Sequence, residues 1–120
     1  MKKDNVIINK SKEFAIEAIK AYKLLKDDKR EFVLSKQFLR SATSIGANIR
    51  EGLNSISKKE FLSKLNISLK EAFETEYWLE LLFETDYINE KQFEVLKLKC
   101  VELIKLLTAI IKTTINNHKL

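Results

Sequence analysis

The segment FEVLKLKCVELIKLLTAIIK, residues 93–112, has the clearest helical pattern in the chain. Its apolar residues recur at steps of three and four, at positions 93, 96, 100, 103, 107 and 110. This spacing places them on one face of an α-helix and is typical of the seam of a left-handed helical bundle. A second apolar row containing Val101, Ile104, Ile111 and Ile115 lies beside the first, so the apolar face is wider than one seam.

Two helices are predicted in the first half of the chain. The first covers about residues 11–26, where apolar residues again recur at steps of three and four. The second begins at Phe32 or Ser35 and ends near Leu53. Gly52 is expected to form its C-terminal cap, because glycine is common just past the end of a helix.

The two later helices are marked by capping signals. Ser57 and Glu60 have the spacing of a capping box, and the helix that they open is predicted to end near Thr85. Asn89 and Gln92 form a similar pair at the start of the fourth helix. The connections between the helices are short, which makes neighbours antiparallel.

Composition supports an all-α domain. The chain has 120 residues, 45% of them hydrophobic, with no proline and two glycines. Turn-rich β folds need many more of both residues, and this length suits one domain, residues 1–120. We therefore predict an antiparallel, up-down-up-down four-helix bundle.

Targeting signals are not apparent. No apolar run reaches the roughly 20 residues that a membrane span needs, and the N-terminus lacks the features of a signal peptide. The one cysteine, Cys100, cannot form an internal disulfide, which fits a reducing compartment. These observations predict a soluble cytoplasmic protein that does not associate with membranes.

Charge is distributed unevenly along the chain. The net charge is +5, and residues 1–30 hold nine Lys or Arg against five Asp or Glu, whereas residues 57–85 hold four against six. A basic surface on and after the first helix could contact phosphates, although a solubilising role is equally compatible with it. The candidate nucleic-acid-binding residues are Lys20, Lys23, Lys26, Arg30, Arg40 and Arg50.

Neither catalysis nor metal binding is indicated. The only histidine, His118, is the third residue from the end, where a general base would be poorly positioned. Glu71 and Glu74 lack the histidines of a di-iron bundle site, and Cys100 on the apolar seam is expected to be inert. We predict no catalytic residue, no metal site and no cofactor.

Two further sets of residues have structural interpretations. Ser41, Ser44, Asn48 and Glu51 share one face of the second helix, and a hydrogen-bonded polar network is favoured there over a ligand site. Other apolar residues exceed what one bundle core needs and are candidates for an oligomer interface. They are Trp78, Leu81, Leu82, Val101, Ile104 and Ile111.

The stretch from Gln37 to Leu82 resembles the four-helix proteins encoded by intervening sequences of bacterial 23S ribosomal RNA genes. The family pattern is an Arg-Ser/Ala-Ala-x-Ser-Ile element, then Asn-Ile-x-Glu-Gly, then a Lys-Glu-Phe helix start. The matching residues are Arg40, Ser41, Ala42, Ser44, Ile45, Asn48, Ile49, Glu51, Gly52, Lys59, Glu60 and Phe61.

This resemblance implies a homopentamer with a basic surface. It extends to accessory proteins of diversity-generating retroelements, which bind nucleic acid and a reverse transcriptase. Two functional hypotheses follow: a non-enzymatic pentameric scaffold that binds ribosomal RNA or other RNA or DNA, and an adaptor that docks a partner protein through apolar or acidic helix faces.

Overall fold

A computed structural model describes residues 2–118, including the side chains of residues 6–117. It contains four α-helices and, within that range, no strand: α1 (Lys2–Asp27), α2 (Leu34–Leu53), α3 (Lys58–Glu84) and α4 (Glu90–His118). They form a four-helix bundle with extents of 52 × 22 × 20 Å, so the predicted fold class is confirmed. None of these helices is long and apolar enough to cross a membrane.

Hydrogen bonds between α2 and α3 show that the two helices run antiparallel. Thr75 Oγ1 and Ser41 Oγ lie 2.9 Å apart, and Ser68 Oγ donates to Ile45 O at 2.8 Å. As the residue number increases along α2, the number of the residue that it contacts on α3 decreases. Each helix packs against two neighbours, and α1 is diagonal to α3, as α2 is to α4.

The predicted Ser57 cap of α3 and the reciprocal cap pair of α4 are confirmed. Ser57 Oγ accepts a hydrogen bond from Glu60 N–H at 3.1 Å. At α4, Gln92 N–H donates to Asn89 Oδ1 at 2.8 Å, and Asn89 N–H donates to Gln92 Oε1 at 2.9 Å. These side chains satisfy N–H groups that the first turn of a helix leaves without partners.

The start of α2 is capped by a residue that the sequence did not single out. The Glu31 carboxylate accepts backbone N–H groups of Val33, Leu34 and Ser35 at 3.2, 3.0 and 2.6 Å. Burial of Glu31 raises the pKa of its carboxyl group, but these hydrogen bonds outweigh burial and lower that pKa below its ordinary value.

The predicted C-terminal cap at Gly52 is wrong. Gly52 lies inside α2 without a positive φ, and the cap residue is Asn54. A Cβ at Gly52 would lie 2.9 Å from Leu65 Cδ1 and 3.2 Å from Lys64 Cβ. Glycine fits here because α3 passes so close that an added Cβ would crowd Leu65 and Lys64.

Candidate nucleic-acid interface

Arg40 does not belong to a basic surface. Its Nη1 lies 3.1 Å from Glu71 Oε2, and its Nη2 lies 3.1 Å from Glu74 Oε1. The hydrogen bond to Glu71 and the charges of both carboxylates raise the guanidinium pKa, although burial opposes them. Because two α3 carboxylates balance its charge, we remove Arg40 from the candidate phosphate contacts and assign it to the α2–α3 seam.

Lys20 also differs from the other candidates. Its Nζ lies 3.9 Å from Glu17 Oε1, and both residues line the groove between α1 and α4. This flank of α1 also carries Lys10, which pairs with Glu102 of α4 at 3.2 Å. Lys20 is thus turned towards α4, and its charge is partly neutralised.

Cations remain on the opposite flank of α1, where it packs against α2. The alignment of α1 with α2 follows from the close approach of Ser11 on α1 to Gly46 on α2, where the Ser11 Oγ would lie 3.3 Å from an added Cβ. Helical periodicity places Lys12, Lys23 and Lys26 on the outer part of this flank. On α2, counting helical turns from Gly46 places Arg50 and Lys36 on the edge that faces α1. The sequence reading had not singled out Lys36.

Arg30 extends this surface into the α1–α2 connection. It has a positive φ of 56°, and its guanidinium carbon lies 5.6 Å from the centre of the Phe32 ring. Lys26 Nζ lies 5.6 Å from the ring centre of Tyr22. Such cation–π contacts favour defined positions for the charges. We call this surface the basic face; its residues are Lys12, Lys23, Lys26, Arg30, Lys36 and Arg50.

Acidic residues of α1 and α2 are largely directed away from the basic face. Glu13 and Glu17 line surfaces shared with α4. Glu51 faces α3, where its carboxylate lies 2.9 Å from Lys64 Nζ. Among the side chains of α1 and α2 that the structure describes, only Asp27, at the end of α1, places an acid beside the basic face. The result is a positive surface about 20 Å long, from the helical rise between Lys12 and Lys26.

The predicted polar network on α2 takes a different form. Ser44 Oγ donates to Arg40 O at 2.7 Å, and Asn48 Nδ2 donates to Ser44 O at 2.8 Å, both within the helix. Ser41 contacts Thr75 and Glu51 contacts Lys64, both across the α2–α3 seam. The four side chains are therefore not joined to one another by hydrogen bonds; they make local bonds and two separate links to α3.

Two candidates for an oligomer interface belong instead to the core of the protomer. Leu82 is 1% exposed and Ile111 is 9% exposed, so neither is available to a second subunit. Their burial corrects the prediction for these two positions.

The remaining four candidates do not form one patch. Trp78 lies two turns after Glu71, and with Leu81 it belongs to the side of α3 that faces α2. Ile104 lies two turns after Lys97, which pairs with Glu80 of α3 at 3.7 Å. Ile104 and the nearby Val101 therefore lie on α4 at the seam between α3 and α4.

Cys100 is poorly placed for chemistry. Cys100 is buried and its Sγ donates to Ala72 O at 3.3 Å, and burial raises the pKa of the thiol to about 12. The side chain of His118 lies outside the part of the structure that is described. Within the described residues, no cluster of three or more His, Cys, Asp or Glu could hold a metal ion.

The similarities to known proteins agree with the four-helix fold. No curated protein matches the chain. The chain is similar to a protein of unknown function from the S23 ribosomal protein family of Bacteroides thetaiotaomicron VPI-5482, with 55% identity and a TM-score of 0.91. The similarity covers 92% of this chain and 98% of that one. Because residues 3–109 match the family described as 23S rRNA-intervening sequence protein, the chain belongs to that family.

Proposed function

We propose that this protein is a non-enzymatic, homopentameric scaffold that binds nucleic acid, either ribosomal RNA or another RNA or DNA, through the basic face. The observation that carries the proposal is the separation of charge on α1 and α2. Glu13, Glu17 and Glu51 are directed towards α3 or α4, while six of the cations of α1, α2 and their connection lie on the α1–α2 face.

Phosphates are the expected targets of the basic face. Four of its six cations are lysines, which act as point charges towards phosphate and carry no base specificity. The surface is about 20 Å long and could follow several successive phosphates of one strand. Binding should therefore be weakly sequence-selective and steeply dependent on salt.

Pentamer formation would strengthen such binding. The number five comes from the family resemblance, and a ring of five chains would carry a net charge of +25, five times the +5 of one chain. Repeated basic faces raise the effective concentration of binding sites along one nucleic acid. A modest patch on each protomer could then give tight binding by the assembly.

A salt series with purified protein tests this function. A labelled structured RNA and a labelled DNA duplex of matched length would be titrated from low to physiological ionic strength. The proposal predicts binding whose logarithm falls linearly with the logarithm of salt concentration, and the RNA-to-DNA ratio would identify the preferred partner. Absence of binding to both probes at low salt would contradict the proposal.

The adaptor function remains the second candidate because of α3. Phe73 and Tyr77 are 51% and 54% exposed on this helix. Residues 70–84 contain five glutamates and one lysine. An acidic surface with exposed aromatic rings is suited to another protein and unsuited to phosphates. A partner protein retained at high salt, together with no nucleic-acid binding, would favour this alternative.

A further inference from the structure

The seam between α1 and α4 is the most open in the bundle. These two helices pack against each other least among the neighbouring pairs, and they leave a groove of about 370 Å³. The groove lies near the ends of the helices that adjoin the α1–α2 and α3–α4 connections. Its apolar lining includes the half-exposed Leu24 and Val95. Lys29 and Lys91 line it as well, and neither forms an ion pair within residues 6–117.

A convex apolar surface lies elsewhere on the same protomer. Phe73 and Tyr77 are one turn apart on the outer side of α3, and more than half of each side chain is exposed. Glu74, Glu80 and Glu84 lie around them. We call this surface the aromatic ridge. Because α3 is diagonal to α1, the ridge and the groove lie on different faces of the bundle.

We infer that the groove of one protomer receives the aromatic ridge of a second copy of this chain. The inference rests on the oligomeric part of the proposed function and identifies the two surfaces that would meet. Shape supports this pairing, because a concave groove packed against another groove would leave both hollows unfilled. A ridge of two aromatic side chains supplies the apolar volume that the groove lacks, and aromatic rings dominate the energy of many interfaces.

Charge supports the same pairing. The ridge helix is acidic over residues 70–84, with five glutamates against one lysine, and Glu84 has no ion pair within the described part of the chain. The groove is positive, because its three lysines exceed its two acids by one charge; these residues are Lys20, Lys29, Lys91, Glu17 and Asp28. Opposite charges around an apolar centre favour one orientation of docking and disfavour the pairing of two ridges, which would bring like charges together.

The symmetry of the assembly follows from this contact. Two different surfaces of each protomer meet, so the interface is heterologous and can close into a ring. The basic face occupies the other flank of α1, which the groove does not use, and it stays exposed after docking. The contact would therefore organise basic faces around a ring without covering them.

Chemical cross-linking tests the inference. Leu24 in the groove and Tyr77 on the ridge would be replaced by cysteine, singly and together, and treated with a short bis-maleimide reagent in the absence of nucleic acid. Cys100 is buried with a thiol pKa of about 12, so it should not react in the folded protein. Leu24→Cys/Tyr77→Cys should give a ladder of linked chains on a denaturing gel, while each single variant should stay as one chain.

A double variant, Phe73→Ser/Tyr77→Ser, provides an independent measurement. Both side chains are half-exposed, so helix content should persist while the mass in solution falls to that of one chain. Dimers formed by either single cysteine variant, or an oligomeric mass with no ladder from the double cysteine variant, would overturn the inference. A native protein whose mass in solution is that of one chain would also overturn it. Nucleic-acid binding is measured separately, and its failure would leave the ladder unaffected.

Discussion

Arg40 of α2 and Glu71 of α3 are joined by a 3.1 Å ion pair in which Glu71, only 15% exposed, is the more buried partner. Glu71 Oε1 is itself buried and has no hydrogen-bond partner among the described residues. Removing the guanidinium would leave a largely buried carboxylate without its counter-charge. Such unpaired groups are costly, whereas the loss of a fully exposed pair has little effect.

We therefore expect Arg40→Gln to lower the free energy of unfolding by about 1–2 kcal/mol. Urea denaturation would measure the loss, and Lys70→Gln, an exposed lysine on α3, is the matched control with little expected effect. Nucleic-acid affinity should change no more in Arg40→Gln than in the control. A selective loss of binding with unchanged stability would return Arg40 to the phosphate contacts.

Gly52→Ala should destabilise the protein although alanine is the better helix former. The added methyl group would approach Leu65 Cδ1 at 2.9 Å, and overpacking of this kind costs about 1–3 kcal/mol, more than the helix propensity gains. Gly46→Ala is the control, since its methyl group would meet Ser11 Oγ at 3.3 Å. Thermal unfolding should show a clearly lower midpoint for Gly52→Ala than for Gly46→Ala, and the reverse order would contradict the close approach of α2 and α3.

Glu31 should make stability dependent on pH. Its pKa in the folded protein is below the ordinary value of 4.5, so its contribution is fully present above about pH 4.5 and is lost as the pH falls through the lowered pKa. Glu31→Gln should lower the free energy of unfolding at pH 7 by about 1 kcal/mol, as expected for loss of a helix cap.

The difference between the wild type and Glu31→Gln should shrink in acid. Urea unfolding at several pH values from 7 to 3 would measure it, with the exposed Glu94→Gln as the control. A difference that stayed constant across this range would show that the Glu31 carboxylate does not cap α2 in its ionised form.

Local signals explain why most of the fold could be predicted. Capping boxes and apolar spacing act within a few residues, and they placed α2, α3 and the start of α4 close to their observed bounds. α1 starts earlier than predicted, at Lys2, and Ile7 in the added segment is buried. Helix formation there depends on packing against other helices, which a local pattern in the first ten residues does not reveal.

The assignment of Leu82 on α3 to an oligomer interface was wrong for a different reason. The buried stripe includes Ser68 and Thr75, whose hydroxyl groups bond to α2 and to the helix itself. A stripe traced through apolar residues alone omits Ser68 and Thr75, and it leaves Leu82 outside the core. Small hydroxyl-bearing residues can be buried when they are hydrogen-bonded, so polarity alone misassigns them.

Within the candidate site, the sequence did not show which cations form ion pairs and which belong to the basic face. Arg40 and Arg50 are both arginines on α2, and the residues next to them do not distinguish their roles. The ion-pair partners of Arg40 lie 31 and 34 residues away and become neighbours only after folding. Lys36 joins the basic face for the same reason, because the α1–α2 packing brings it beside α1 residues. A charge count can indicate a basic protein but cannot identify which side chains share a surface.

The basic face is proposed to supply the phosphate contacts. The most direct measurement compares the salt dependence of RNA binding by the wild type, by Lys23→Gln/Lys26→Gln/Arg50→Gln and by Lys59→Gln/Lys70→Gln/Lys105→Gln. The two variants lose the same charge, but the control residues lie exposed on α3 and α4.

Each phosphate contact contributes about 0.7–0.9 to the slope of log affinity against log salt. We predict that the basic-face variant binds more weakly and that its slope is shallower by about 2–3 per protomer engaged, while the control remains close to the wild type. Equal losses in both variants, or an unchanged slope in the basic-face variant, would contradict the claim.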